Sequence, residues 1–108
     1  MKVERRDLIN NDGALITDGV YTTMQTEHMF GYSVYFNLAG AGTGTFTIEG
    51  SNDGVNWFTI TGQSLAKGGG VVTQLYEKSD MYHPFIRLNV SAIAGAVTGT
   101  AWFMGKGA

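Results

Sequence analysis

The sequence predicts an all-β protein, a single-domain antiparallel β-sandwich of about seven or eight short strands with little helix. Runs of alternating apolar and polar residues dominate the chain, and this is the period of a strand that buries one face. No segment keeps the 3.6-residue period of an amphipathic helix. The 16 glycines follow no repeat, as expected for a chain with many turns and bulges.

The N-terminal third contains the weakest patterns. Residues 3–9 and residues 14–20 each predict a strand, with a turn over residues 10–13 because Asn, Asp and Gly favour turn conformations. Residues 22–29 carry no strong pattern, so a strand, a loop and a single helical turn all remain open for them.

From residue 32 onward the alternation is regular. Residues that share a face within their own run are Tyr32, Val34, Phe36 and Leu38; Phe46 and Ile48; Phe58 and Ile60; Val72, Gln74 and Tyr76; Ile86, Leu88 and Val90. A last run over residues 96–104 contains Val97, Trp102 and Phe103. The single proline, Pro84, predicts a strand entry at Phe85, where the missing N–H costs least.

Composition narrows the class of protein. The 108 residues suit one domain, residues 1–108, and charged residues make up only 15% of them. With 44% apolar residues, such a chain must cover apolar surface, and subunit contacts are one way to do so.

Charge, apolar run length and cysteine content exclude or disfavour several classes of protein. A net charge of −2 argues against nucleic-acid binding. No apolar stretch has the length of a membrane span. The absence of cysteine favours folding in a cytosol over a disulfide-stabilised extracellular domain.

No residue pattern indicates an enzyme, a metal site or a cofactor. His28 and His83 are far apart and lack partners at ligand spacing, so both are expected in structural or surface roles. Glu49 and Asp53 are close enough to resemble a catalytic carboxylate pair, yet Asp53 stands in a turn and Glu49 on the polar face of a strand. Residues 68–70 precede a strand pattern rather than a helix, which argues against a phosphate loop. Residues 11–13 and 52–54 resemble only fragments of a calcium loop.

The most distinctive stretch is a predicted hairpin over residues 45–61. Asp53-Gly54 is a strong turn signal because glycine adopts positive φ freely. Ser51 and Asp53 can accept backbone N–H groups within the turn, and Trp57 can fold over it. We therefore interpret Ser51, Asp53, Gly54 and Trp57 as a structural hairpin, with a ligand-binding loop as the alternative.

Two segments carry a family resemblance. Residues 48–57, IEGSNDGVNW, resemble the S-x-D-G-x-x-W hairpin of discoidin-type β-sandwiches, and residues 82–90, YHPFIRLNV, resemble a strand near the end of those domains. In size the chain is similar to small bacteriophage virion proteins that combine an S-N-D-G-x-x-W hairpin, an I-R-L-N-V strand and a glycine-rich ending. The resemblance implies a jelly-roll or discoidin-like sandwich and a virion structural role.

That role would be capsid decoration or cementing, a minor capsid position, or a tail or spike component, in a protein assembled in the bacterial host cytoplasm. The alternative is a carbohydrate-binding module, for example at a receptor-binding tip. Its binding residues would be exposed aromatic side chains, for which the candidates are Trp57, Tyr76, Tyr82 and Trp102.

Assembly contacts are expected in the first nine residues, because charged and apolar residues mix there and the strand pattern is incomplete. The candidate contact residues are Lys2, Val3, Arg5, Arg6, Leu8 and Ile9. An assembly arm and an ordinary first strand both fit residues 1–9. In either case we expect a homo-oligomer or a firm contact with other virion proteins.

Overall fold

A computed structural model describes the backbone of residues 2–10, 15–79 and 83–107, and the side chains of residues 5–9, 15–79 and 83–107. These residues form eight strands and no helix. The strands are β1 (Lys2–Asn10), β2 (Gly19–Gln25), β3 (Met29–Ala39), β4 (Thr43–Ser51), β5 (Phe58–Lys67), β6 (Val72–Lys78), β7 (Phe85–Ala94) and β8 (Thr98–Gly107). The predicted all-β class and the number of strands are confirmed.

The strands form two four-stranded antiparallel sheets. The first sheet has the order β1-β8-β3-β6 and the second sheet the order β2-β7-β4-β5. Strands that are distant in sequence are thus neighbours in space, and successive strands mostly cross from one sheet to the other. This is the order of an eight-stranded jelly roll, in which two Greek keys close over one core.

Alternation within the strands fills the space between the sheets. The fully buried side chains include Phe36, Phe103, Leu38 and Val34 from the first sheet and Phe46, Ile48, Ile86, Leu88 and Val90 from the second. Phe36 and Phe46 meet edge to face across the sandwich, with ring centroids 6.0 Å apart. Each such side chain contributes about 2 kcal/mol through burial, so the core accounts for most of the favourable free energy of folding.

Polar groups in the core are paired. The Tyr32 hydroxyl donates to Oε1 of Gln63 on the opposite sheet, and burial raises the pKa of this phenol above its ordinary range. Lys67 is only 3% exposed, and its Nζ donates to the carbonyl oxygens of Gly40, Gly42 and Gly68 at 2.7–2.9 Å. These three carbonyl acceptors offset part of the cost of burying the ammonium group. The sequence analysis did not identify Lys67.

One sequence prediction needs correction, and a segment left open by the sequence is now assigned. The strand predicted over residues 14–20 is wrong for residues 15–18, and β2 begins only at Gly19. Here the backbone crosses between sheets, with the Ile16 N–H bonded to Val97 O and the Asp18 carboxylate accepting the Ile93 N–H. The ambiguous segment 22–29 contains the second half of β2, a turn and the start of β3.

The alternation placed Phe58 on one face with Ile60, and the two side chains differ in burial. Ile60 is buried, whereas Phe58, the first residue of β5, is 70% exposed. Pro84 directly precedes β7, as predicted. The turn predicted over residues 10–13 lies largely outside the described residues.

Candidate functional site

The outer face of the first sheet is the main candidate site. On β8 the buried residues Ala101 and Phe103 alternate with Trp102 and Met104, which therefore point to solvent. The same alternation turns Tyr35 of β3 outward. Leu75 on β6 is 49% exposed and completes a patch of large, partly exposed side chains, in which Trp102 is 37% and Met104 38% exposed.

Strand register arranges these outward residues in rows across the sheet. One row runs Asp7, Trp102, Tyr35, Leu75, and the next runs Arg5, Met104, Ser33, Glu77. The first row places the indole of Trp102 beside the phenol of Tyr35, with centroids 5.7 Å apart and planes tilted by 46°. In these two rows the large aromatic side chains and Met104 lie on the two central strands and the charges on the two edge strands, whereas Lys106 lies exposed near the end of the central strand β8.

Arg5 lies at the edge of this face and contacts both Trp102 and Asp7. Its guanidinium carbon lies 4.3 Å from the Trp102 ring centroid, a cation–π contact. Its Nε and Nη2 atoms donate to Asp7 Oδ1 at 3.3 and 3.2 Å. Both members of this ion pair remain about half exposed, so the guanidinium is positioned but still accessible.

A shallow groove continues this face toward the end of the sandwich where β8 terminates. It has a volume of about 440 Å³, and Met104, Ser33 and Glu77 line it together with Phe30. Phe30 is 58% exposed because a register shift between Met29 and Gly31 displaces it from the β3–β8 ladder. The groove therefore extends the apolar patch by one more aromatic ring.

The outer face of the second sheet is largely polar, with Val20 of β2 as an exposed apolar side chain. Its outward residues on the three strands β7, β4 and β5 are Arg87, Asn89, Ser91, Thr45, Thr47, Glu49, Thr59, Ser64 and Ala66. The Thr47 and Ser64 hydroxyls lie 3.1 Å apart across β4 and β5. Arg87 Nε donates to Glu49 Oε1 at 2.8 Å, and the Arg87 guanidinium lies 4.2 Å from the Trp57 ring centroid. Two pairs of polar side chains on this face are thus engaged with each other, Thr47 with Ser64 and Arg87 with Glu49.

The hairpin residues lie in the connection from β4 to β5. The Ser51 hydroxyl accepts the Gly54 N–H at 2.8 Å, and Asp53 Oδ1 accepts the N–H groups of Val55 and Asn56 at 2.8 Å each. The bonds from Asn56 and Val55 hold the pKa of the Asp53 carboxyl well below its usual range. Gly54 has a φ of 77°, in the left-handed region that favours glycine.

These contacts give the Ser51 hydroxyl, the Asp53 carboxylate and the Gly54 N–H partners within the turn, and the Trp57 ring contacts Arg87. The interpretation of Ser51, Asp53, Gly54 and Trp57 as structural is consistent with them and stays a prediction, because no ligand has been tested.

His83 supports this hairpin from the neighbouring loop. Its Nδ1 lies 3.0 Å from Asn52 Oδ1, and its carbonyl accepts the Thr26 hydroxyl at 2.7 Å. The Thr26 N–H bonds to Pro84 O at 2.7 Å. His28, in contrast, lies exposed in the turn between β2 and β3. The two histidines are thus in separate loops and do not form a common site.

The predicted assembly residues differ in how deeply they are buried in this chain. Residues 2–10 pair with β8 as an edge strand, which fits the strand interpretation of this segment. Arg5 and Arg6 are exposed, whereas Leu8 and Ile9 are buried in the core of this chain and offer no apolar anchor to a partner. The side chains of Lys2 and Val3 lie outside the described residues.

Of the three predicted carbohydrate-contact aromatics that lie in the described residues, Trp102 is the most exposed, at 37%. Trp102 belongs to the outer face of the first sheet, and Trp57 is half-buried beneath Arg87. Tyr76 is half-buried and packs edge to face on Phe36. Tyr82 lies outside the described residues. Sequence reasoning did not single out Tyr35, Leu75 and Met104, although their outward positions follow from the alternation of β3, β6 and β8.

The described ranges contain neither a candidate metal site nor a candidate membrane-spanning helix. No group of three or more histidine, aspartate or glutamate side chains there is placed to bind a metal ion. The same residues contain no helix long and apolar enough to cross a membrane.

Comparisons with known proteins identify the fold. No protein-family model and no curated protein matches the sequence. Among solved structures, the crystal structure of the SPBc2 prophage-derived protein YomS superimposes with a TM-score of 0.61 at 9% identity, over 96% of this chain and 92% of that one. A structure of a CBM4, a carbohydrate-binding module, gives a TM-score of 0.49 at 13% identity, over 96% of this chain and 76% of that one. At these identities the likeness to YomS extends to the fold alone.

Proposed function

We propose that this chain is a bacteriophage virion structural protein that acts through protein–protein contacts on the outer face of its first sheet. The observation that carries the proposal is the uncovered patch around Trp102, Tyr35, Met104 and Leu75. In a chain with few charges, such a patch marks a surface that a partner covers.

The composition of the patch supports a protein partner. Tryptophan, tyrosine, methionine and arginine are the residue types enriched at protein interfaces, and the centre of this face consists of the first three with Arg5 at its border. Within the two rows the charged residues lie on the edge strands, where an interface has its solvated rim, and Lys106 lies near the end of the central strand β8, beyond Met104. The face therefore has the distribution of an interface core and rim.

The sheet edges support contact through a face instead of strand addition. Register shifts interrupt the ladders of three edge strands, β1, β2 and β5. The fourth, β6, has a regular ladder, but side-chain amides of Gln74 and Gln63 donate to its carbonyls at Leu75 and Glu77. Bulges and capped carbonyls discourage edge-to-edge pairing.

The phage context rests on two kinds of likeness. The S-N-D-G-x-x-W hairpin and the I-R-L-N-V strand resemble small virion proteins, and the fold resembles that of a prophage-derived protein. On this basis the chain decorates or cements a capsid, or forms part of a minor capsid, tail or spike structure. It takes its place in the virion after folding in the host cytoplasm, with no catalytic step and no cofactor.

Carbohydrate binding is the second candidate, and the exposed ring of Trp102 beside Tyr35 favours it. Sugar rings stack on an open aromatic face. Two features weigh against this candidate, because Arg5 covers one face of the Trp102 ring and the 46° tilt to Tyr35 breaks a common platform. A protein partner needs neither a bare ring face nor coplanar rings.

The test uses purified phage particles from the strain that carries the gene. We expect peptides of this chain in the particles, and their loss when a Trp102→Ser, Leu75→Ser double variant replaces the wild type. Asn89→Ser, on the outer face of the second sheet, is the matched control and is expected to be incorporated normally. Particles that never contain the chain would contradict the proposal, and glycan-array binding that depends on Trp102 would support the second candidate in its place.

A further inference from the structure

We propose that the partner on this face is a second copy of the chain, packed sheet to sheet about a twofold axis parallel to the strands. This inference rests on the proposed use of the first sheet as a contact surface. It specifies the occupant, the relative orientation and the pairs of residues that meet.

Arg5 and Glu77 are complementary to each other under this rotation, while Lys106, near the end of β8, comes over Gly31 of the other copy. A half-turn about an axis between β8 and β3, lying in the interface, places β1 over β6 of the second copy and β8 over β3. Arg5 and Glu77 lie in the same row on opposite edge strands. Arg5 of each copy therefore faces Glu77 of the other, and the two opposite-charge pairs border the contact.

The same rotation stacks the apolar centre on itself. Trp102 of one copy comes over Tyr35 of the other, and Met104 comes over Ser33, because each pair shares a row on the two central strands. A large side chain thus meets a smaller one at both positions. This alternation suits the interdigitation of two sheets packed about 10 Å apart.

The Arg5 guanidinium is already held in position in the single chain, before a second copy binds. The Trp102 ring below it and Asp7 beside it hold the guanidinium on the outer face, while its remaining N–H donors are open to a carboxylate. A side chain already held in place loses less entropy on binding. The rotation places Asp7 over Leu75 of the other copy, and there Asp7 stays paired with Arg5 of its own chain at the rim.

The area of the face determines how tightly the two copies are expected to bind each other. Four strands about 4.8 Å apart, over the seven residues of β6, give a flat footprint of roughly 450 Å² per copy. About 900 Å² in total is at the weak end of specific interfaces. We therefore expect a dimer with a Kd on the order of micromolar in solution, strengthened in an assembly by multivalency.

Charge reversal at the two rim positions provides the test. Arg5→Glu places two pairs of facing carboxylates in the dimer, and Glu77→Arg places two pairs of facing guanidinium groups. Each variant alone is expected to raise the Kd by more than about tenfold in sedimentation equilibrium, since like charges at a rim oppose association. An equimolar mixture of the two variants restores both attractive pairs, and we expect a heterodimer within about threefold of the wild-type Kd.

Asn89→Glu and Thr47→Arg, on the outer face of the second sheet, are the matched controls and should dimerise like the wild type. Wild-type protein that stays monomeric up to about 1 mM would overturn the inference. So would a dimer insensitive to both reversals, or single variants whose mixture fails to associate. In any of these cases, loss of particle incorporation by the Trp102, Leu75 variant would still support the proposed function with a different partner.

Discussion

Each outer face of the sandwich carries an arginine over a tryptophan ring and beside a carboxylate, yet the two groups differ in burial. Arg87 lies 4.2 Å from the Trp57 centroid and pairs with Glu49, and the two charged side chains are 22% and 14% exposed. Arg5 lies 4.3 Å from the Trp102 centroid and pairs with Asp7, at 53% and 41% exposure. The chemistry is the same, and the exposure is more than twice as high on the first sheet.

Burial determines what each group does. Glu49 and Arg87 lie directly opposite each other on the central strands β4 and β7, so their attraction is poorly screened and stabilises the sheet. Arg5 and Asp7 lie on one edge strand, two residues apart, where solvent screens the attraction and little stability results. The pair that contributes little to folding is therefore the pair free to take part in binding.

Replacing Arg87 by methionine should have the largest effect on folding. The variant leaves Glu49 nearly buried without a partner and removes the cation from the Trp57 ring, so we expect a loss of about 2 kcal/mol in the free energy of unfolding. Urea denaturation measures it, and Asn89→Met on the same face is the control. Unchanged stability would mean that the Glu49 pair contributes nothing to folding.

Gly54→Val tests whether the hairpin beside this second-sheet group is structural. A valine at φ 77° is strained, whereas a Cβ at that position meets only Phe85 at an ordinary 3.5 Å. The backbone alone should therefore cost roughly 1–2 kcal/mol in unfolding free energy. A variant of full stability that lost a binding activity would show that the loop serves a ligand instead.

Arg5→Met is the direct counterpart of Arg87→Met and should barely change folding. We expect less than about 0.5 kcal/mol of lost stability, because the Asp7 pair is exposed. The same variant should raise the Kd for self-association, measured by sedimentation. If Arg5→Met destabilised the fold as much as Arg87→Met, the difference between the two faces would not hold.

The smallest expected effect is on the pH dependence of folding stability in acid. Because the folded-state pKa of Asp53 is depressed, its contribution to stability is present above the unfolded pKa of about 3.9 and is lost as the pH falls below that value toward the folded pKa. Asp53→Asn should therefore lower the midpoint of urea unfolding at pH 7 slightly and flatten its dependence on pH below about 4. Asp18→Asn serves as control, and a variant with the wild-type acid profile would exclude a role for the Asp53 carboxylate.

The sequence predicted most of the strands because period-two alternation is a local property. It assigned Val34, Phe36 and Leu38 to one face, and all three are buried. It failed at residues 15–18, where the chain crosses between sheets and a bond from Ile16 to Val97 replaces a ladder. Local pattern contains no information about such a long-range partner.

The hairpin was also accessible from sequence, since the bonds of Ser51 and Asp53 reach no further than three residues. The outer face of the first sheet was not accessible from the sequence. Tyr35 and Trp102 are distant in sequence and meet only because β8 pairs with β3, and Leu75 joins them only because β6 pairs with the other side of β3.

Composition and alternation were thus sufficient for the all-β class, the inward-facing side chains and the turn at Asp53-Gly54, because these depend on neighbouring residues. Strand order depends on which apolar faces close over one another, a property of the whole chain. That order placed Arg5, Trp102, Tyr35, Leu75 and Glu77 on one surface. It also made Arg87 a buried ion-pair partner and left Arg5 an exposed one, because a central strand is shielded from water on both sides and an edge strand is not.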